Sequence, residues 1–313
     1  MELTTISRRN NVFVKFGQKF WRSKYLLLMI LPAIAFYIIF CYVPMYGVLM
    51  AFKDFRPRLG IWNSPWNGVD NFIRVFEEPK FWQAFKNTLI IGSVKIVIGF
   101  LGAVTVALLL NELRMRRAKK TIQILVTFPH FLSWGVVSGF VISLFAYYGA
   151  INSLVDAMGG ERTNFLANKG FFFGMVFVSD IWKEAGWGSI IYLATMAGIP
   201  QDQYEAADID GATRLQKIWH ITLPGIRPTA ILLLIMSVGG VLSAGFDQIL
   251  NLGNPLIRED VNIIDTYIYY HAIVGSDSAG VGTAIGLFKS VIGFTLVITV
   301  DRIAKAFGER GII

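Results

Sequence analysis

Long apolar blocks, uninterrupted by more than a few charges, limit this chain more than any other feature. They lie near Tyr25 to Met50, Leu89 to Leu110, Ile122 to Tyr147, Phe171 to Ile199, Thr229 to Leu250 and Val281 to Val300. About 20 mostly apolar residues in a helix cross the hydrocarbon core of a bilayer, so the pattern predicts an all-α integral membrane protein with six transmembrane helices. A soluble core would instead show short periodic stripes. The 313 residues are 54% hydrophobic and only 16% charged, whereas soluble domains carry about a quarter charged residues.

The formal net charge of +8 does not point to nucleic acid, because the Lys and Arg residues gather at the ends of apolar blocks. With both termini inside, cytoplasmic segments hold 17 Lys and Arg and external segments hold 9, leaving Lys95, Lys183 and Lys289 within spans. The positive-inside rule therefore predicts an N-in, C-in topology. Arg8, Arg9, Lys15, Lys19, Arg22 and Lys24 precede the first block without a small-residue cleavage site, so this N-terminus reads as retained. The single cysteine, Cys41, excludes an intrachain disulfide and reads as a small buried side chain.

Between the first two spans, Phe72, Val75, Phe76, Phe81, Trp82 and Phe85 partly follow helical spacing around Pro79 and predict an interfacial helix. Small residues four apart, Gly282 with Gly286 and Gly239 with Ser243, predict close helix packing within the last and fifth spans.

The segment from Pro200 to Pro228, between spans four and five, reads as two short helices. Asp202 is expected to cap the first, with Glu205 three residues on. Gly211 is a natural stop, Thr213 and Gln216 repeat the capping-box spacing, and Leu223-Pro224 is expected to close the second helix. A capped, Ala-rich helix flanked by acidic side chains can enter a groove on another protein.

Within this segment Glu205-Ala206-Ala207, Asp210-Gly211-Ala212 and Ile221-Thr222-Leu223-Pro224 resemble the EAA loop of binding-protein-dependent ABC importer permeases. FCYVPMYGVLMAFKDF, SPWNGVDNF, FPHFLSW, DIWKEAGWGSIIYLA and IIDTYIYYHAI extend the resemblance to the polysaccharide-type branch of sugar permeases, from about Leu26 to Phe307. The resemblance implies a type I importer permease fold and a location in the bacterial cytoplasmic membrane. It divides the chain into a cytoplasmic segment 1–24, a first span and external interfacial segment 25–84, a transmembrane core 85–307 with coupling loop 200–228, and a cytoplasmic tail 308–313. It assigns ATPase coupling to Glu205, Ala206, Ala207, Asp208, Asp210, Gly211, Ala212, Leu223 and Pro224. The implied partners are a homologous second permease, two ATP-binding subunits, an external solute-binding protein and an oligosaccharide.

Asp180, Lys183 and Glu184 interrupt the fourth span and should face inward, because charges at such depth must be paired or solvated. With Trp187 they share one side of a helix, where an ion pair can form. Sugars offer hydroxyls and apolar C–H faces, which makes Trp182, Trp187, Tyr192, Phe246, Asp247 and Asn251 candidate lining residues alongside the three charges. The same charges equally suit a salt-bridge network that fixes helix packing, or a position beside the coupling loop. Lys95 and Lys289 can attract an acidic sugar such as a uronate, or extend from a helix end to the interface.

Motifs of chemistry are wanting in the sequence. No phosphate loop occurs, since Gly282-TAIGLFKS lacks a Gly beside Lys289, so the expectation is that ATP and magnesium sit on a separate ATPase subunit and that this chain binds no cofactor. His130, His220 and His271 lie far apart and predict no metal site, and no G-x-S-x-G elbow supports an enzyme. Two rival functions share these features: a permease for another solute, such as a peptide or phosphate, and a membrane sensor or scaffold that does not transport.

Overall fold

The computed structural model describes residues 23–275 and 278–306. The expected basic segment at Arg8, Arg9, Lys15, Lys19 and Arg22, and the expected tail 308–313, lie outside the described residues. Among the described residues there is no strand, only one isolated antiparallel bridge between Lys53 and Trp66.

Among the described residues, five helical stretches are long and apolar enough to cross a membrane. They are α1 (Lys24–Phe52), which passes through a π turn and a 3-10 segment, then Pro79–Glu112, Trp134–Ala157, Arg214–Gly239 and Ala279–Ala306. The expected fourth span is a continuous helix, Lys169–Ala197, of 29 residues. Every stretch of it long enough to cross carries Asp180, Lys183 and Glu184, which separates it from the other five.

Around Pro79 the external segment forms two helices rather than the one expected, after a short turn of helix at Gly60–Asn63. The first, α2 (Asp70–Glu77), stops at an extended Glu78, and Pro79 opens α3 (Pro79–Glu112). Proline disfavours the helical conformation at the residue before it and itself suits the first helical position, and with Glu78 extended the expected interfacial helix divides at Pro79. Phe81, Trp82 and Phe85 thus belong to α3, where Phe81 meets Phe76 and Phe288 at 6.0 and 5.8 Å between ring centres.

The third expected span, Ile122 to Tyr147, is broken. Its first part, α4 (Arg116–Thr127), runs into a 3-10 turn at Phe128–Phe131, and Leu132 and Ser133 are extended. Pro129 has no N–H to continue the helix. Ser133 Oγ then accepts from Val136 N at 3.3 Å and starts α5 (Trp134–Phe145), which is followed by α6 (Ala150–Ala157).

The helix Lys169–Ala197 is α7; the coupling segment carries α8 (Gln201–Ile209) and leads into α9 (Arg214–Gly239). The expected fifth span, Thr229 to Leu250, is shifted: α9 starts earlier and stops at Gly239, ahead of a 3-10 turn at Val241–Ser243. Ala244 (φ 44°) and Gly245 (φ 87°) are left-handed, and α10 (Phe246–Leu252) begins anew. Ser243 therefore leaves the helix of Gly239, and the expected small-residue pair does not form one packing face. Leu223-Pro224 does not end a helix either. Leu223 N donates to Ile218 O across a π turn at Ile218–Thr222, a register shift that lets α9 continue through Pro224.

The chain ends in α11 (Ile264–Ile268) and α12 (Ala279–Ala306). Cys41 is exposed, not buried, because it sits on the π turn of α1, where none of the residues is buried against the other described elements. The most extensive helix contact is α3 against α7. Two glycines set its surroundings: a Cβ on Gly92 of α3 would collide with the Val241 carbonyl, and one on Gly186 of α7 with the backbone at Val126. Gly186→Val should cost about 1–3 kcal/mol by overpacking and lower the melting temperature of the detergent-solubilised chain, whereas Gly174→Ala, whose Cβ meets nothing within 4 Å, should leave it unchanged.

Candidate functional site

Four elements converge on a set of charges deep among the apolar helices. Lys95 Nζ on α3 lies 2.9 Å from Asp180 Oδ1 on α7, with the two side chains only 12% and 15% exposed. Lys95 Nζ also donates to Gln248 Oε1 on α10. Gln248 is fully buried, and its amide donates to Val176 O at 2.8 Å and Ser179 Oγ at 2.9 Å. Lys95 thus joins three helices, and Gln248 pins the segment after the helix break to α7.

A second network adjoins the first. Lys183 Nζ donates to Glu184 Oε1 at 3.0 Å and to His130 O at 2.8 Å, and His130 Nδ1 lies 2.7 Å from Glu184 Oε2. Trp187 stacks on His130 with 4.4 Å between ring centres and 4° between planes. The Trp134 ring lies 5.9 Å from Lys95 Nζ and 5.4 Å from Lys183 Nζ, within the range of cation–π attraction. The break at Pro129 gives this arrangement its shape, since it turns His130 and Trp134 onto α7.

Lys95, Asp180, Glu184 and Trp134 line a cavity of about 400 Å³ closed on one side by Gly240 to Gly245. It shares Ile96, Gly99, Phe100 and Ser237 with a neighbouring cavity of about 370 Å³ that reaches Gly188 and Tyr192. Together they form a groove along α3 and α7 with carboxylate, ammonium and hydroxyl groups at one end and aromatic rings along its wall. Paired carboxylates keep lone pairs for further donors, so such a wall suits a ligand rich in hydroxyls.

The structure gathers Asp180, Lys183, Glu184 and Trp187, with Asp180 pairing Lys95 instead of its helix neighbour Lys183. Of the other sequence candidates, Tyr192 lines the far part of the groove and the rest lie elsewhere. Trp182 lines an apolar groove with Phe140, Phe145 and Phe171. Tyr192 is buried against Ala103, Met196 and Ile226 and meets Phe100 edge-on. Phe246 meets Tyr269, while Asp247 and Asn251 are exposed on α10, where Asn251 Nδ2 donates to Asp247 O at 2.6 Å. Sequence reasoning passed over Trp134 and Gln248; a glutamine three residues after a glycine inside an apolar block was the available signal for the latter. Lys289, the third intramembrane lysine, pairs with Asp265 at 2.6 and 2.7 Å.

In the coupling segment the N-cap of α8 is Pro200, so Asp202 lies in the first turn and caps nothing with its side chain. There its carboxylate still faces the positive end of the helix dipole. Ala207 O accepts from Ala212 N at 2.9 Å and Asp208 O from Gly211 N at 3.2 Å, a Schellman end that needs the left-handed Gly211 (φ 74°). Thr213 and Gln216 form the expected capping box. Glu205, Ala206, Asp208 and Asp210 are exposed, Ala207 and Ala212 half-buried, and Leu223 and Pro224 lie in the first turn after the π turn. Ile209, Leu215 and Trp219 are apolar and 88%, 69% and 66% exposed, which leaves this loop with a sticky outer surface beside its acidic groups.

Residues 95–310 match the family described as "Binding-protein-dependent transport system inner membrane component". The chain belongs to this family. The permease is 42% identical to protein LplB of Bacillus subtilis (strain 168) over 93% of its own length and 92% of the relative. It is also 42% identical to the polygalacturonan/rhamnogalacturonan transport system permease protein YteP of the same strain, over 97% and 94% of the two chains. Among solved structures, a chain of a bacterial ABC transporter involved in the import of the acidic polysaccharide alginate superimposes with a TM-score of 0.86 at 35% identity, covering 93% of the permease and 99% of that chain. A second structure of an alginate transporter, in complex with an alginate pentasaccharide-bound periplasmic protein, gives 0.85 at 34% identity, over 94% and 99%. The permease therefore has the type I ABC importer fold. The matched region begins at Lys95, the residue that joins α3, α7 and α10.

Removing one member of a buried ion pair leaves the other charge uncompensated, at a cost of about 3–5 kcal/mol. Lys95→Met and Asp180→Asn should each lower the thermal stability of the purified permease by that order. The double variant should lose less than either single change; additive losses would show that the two groups act apart.

Proposed function

We propose that this permease is one of two homologous membrane subunits of a bacterial ATP-driven importer that takes up oligosaccharides released from polysaccharides, uronate oligomers among them. An external solute-binding protein delivers the sugar, and two separate ATP-binding subunits, which hold the ATP and magnesium, dock on the coupling loop 200–228. The observation that carries this reading is the near full-length likeness to a polygalacturonan/rhamnogalacturonan permease and to an alginate importer. This chain is non-catalytic and supplies movement and lining.

On this reading α7 is the fourth of six spans, both termini are cytoplasmic, and the domain limits are those expected from the sequence. Engagement of ATP pulls the ATPases together and moves the loop around Glu205, Asp208 and Gly211, reopening the path outward; hydrolysis restores the inward-facing state. The groove along α3 and α7 offers the sugar hydroxyl-binding carboxylates at Asp180 and Glu184 and ring faces at Trp134 and Phe100. Each intramembrane lysine already has a carboxylate partner, Lys95 with Asp180, Lys183 with Glu184 and Lys289 with Asp265. A uronate therefore binds by exchanging with such a carboxylate rather than by meeting a bare charge, which keeps the path open to neutral sugars as well.

The complete complex in liposomes, with binding protein and ATPase, should hydrolyse ATP faster when oligogalacturonate or a neutral oligosaccharide is supplied outside. Glu205→Ala should reduce that stimulation by roughly tenfold, within the range of ordinary coupling energies. Stimulation by a peptide or phosphate instead would assign another solute, and an assembled complex that responds to no solute would make the chain a scaffold.

A further inference from the structure

The coupling hairpin is held to its span by very few groups. No residue of α8 is fully buried, and only Tyr204 and Ala207 are half-buried, so apolar packing attaches that helix weakly to the other described residues. Its inner face is Tyr204 and Ala207, both half-buried and three residues apart, with the exposed Asp208 beside them. Tyr204 Oη and Thr222 Oγ1 share a hydrogen bond at 2.9 Å, and Lys217 Nζ lies 2.6 Å from Asp208 Oδ1. At the base, Ile199 packs directly over Gly225, where an added Cβ would come within 2.5 Å of Ile199 Cδ1. The three contacts pair residues in antiparallel register, so α8 lies back along the start of α9. The outer face is Glu205 and Ile209, both exposed.

Thr222 is the buried member of this set on α9. It is 1% exposed, ends the π turn and lies immediately before Leu223-Pro224. Prolines at 224 and 228 and the π turn leave this first stretch of α9 with fewer regular backbone bonds than an ordinary helix. A push on the Glu205 face would bend α8 at the Gly198–Pro200 connection unless a side-chain strut passed it on.

We infer that Tyr204 and Thr222 are positioning residues for energy coupling: their hydrogen bond, backed by Asp208–Lys217, makes α8 and the start of α9 a single rigid lever. The lever transmits movement of the docked subunit to α9, whose far end at Ser237 and Gly240 lines the cavity beside Lys95 and Asp180. This rests on the proposed import function for its transport readout, but not for its mechanical one.

The test uses the full complex in liposomes with oligogalacturonate on its binding protein, and records sugar imported per ATP hydrolysed together with co-purification of the ATPase. Tyr204→Phe and Thr222→Val should each lower that ratio by roughly three- to tenfold, the factor one net hydrogen bond is worth. Their combination should be no worse than either alone, Thr222→Ser should keep the wild-type ratio, and the ATPase should co-purify throughout. A ratio unchanged in Tyr204→Phe, or an effect explained by lost ATPase binding, overturns the inference. A second measurement does not depend on the sugar. Spin labels on Ile209→Cys and Leu232→Cys, with Cys41→Ser removing the native thiol, should give a narrow distance distribution that broadens in Tyr204→Phe and Thr222→Val. An equally narrow distribution in those variants overturns the inference even where no sugar stimulates the wild type, an outcome that would itself count only against the import reading.

Discussion

A lysine and an aspartate facing each other between two largely apolar helices impose most of this architecture. A charge at the centre of a span costs at least about 2.5–3.5 kcal/mol even on the most lenient scale, so Lys95 and Asp180 must meet, and α3 and α7 must lie side by side for them to do so. Gly92 and Gly186, in α3 and α7, let neighbouring backbone approach where side chains would collide. Gln248 completes the arrangement by accepting from Lys95 while donating to α7, which requires the chain to turn back at Ala244 and Gly245. The helix break, the cavity it closes and the charges that line it are consequences of one another.

The second constraint runs along α9. That helix starts at the coupling segment, crosses through a π turn and two prolines, and stops at Gly239 beside the charged cavity. Its lower end is fastened to α8 by polar side chains, and beyond its upper end α10 is fastened to α7 by Gln248. Two anchored bodies separated by a left-handed backbone turn form a joint. The exposed loop 200–228 therefore connects physically to the groove between α3 and α7, without a long relay of side chains.

Much of this could be read from the sequence, because apolar length and local capping are written in neighbouring residues. The spans at α1, α3 and α12, the glycine stop at Gly211 and the capping box of Thr213 with Gln216 all follow from short-range rules. The pairing of Lys95 with Asp180, and of His130 with Glu184, joins residues far apart in the chain and has no spacing signature. The breaks at Pro129 and Gly239 were hidden for a different reason: the apolar blocks continue through them, so hydropathy reports membrane depth while the backbone changes direction. Cys41 shows the same limit, since an apolar neighbourhood in the sequence does not distinguish a packed helix face from one turned outward.

On the proposed import function, the groove beside Lys95 and Asp180 is a solute path whose access alternates. Its most direct test is thiol accessibility at Ser237, which lines both cavities, as Ser237→Cys in a chain whose native thiol is removed by Cys41→Ser. In the assembled, ATP-hydrolysing complex, a membrane-impermeant thiol reagent should label this position from the cytoplasmic side at rest and from the external side when the ATPases are trapped closed. Labelling from one side only in both states, or from neither side, would contradict it.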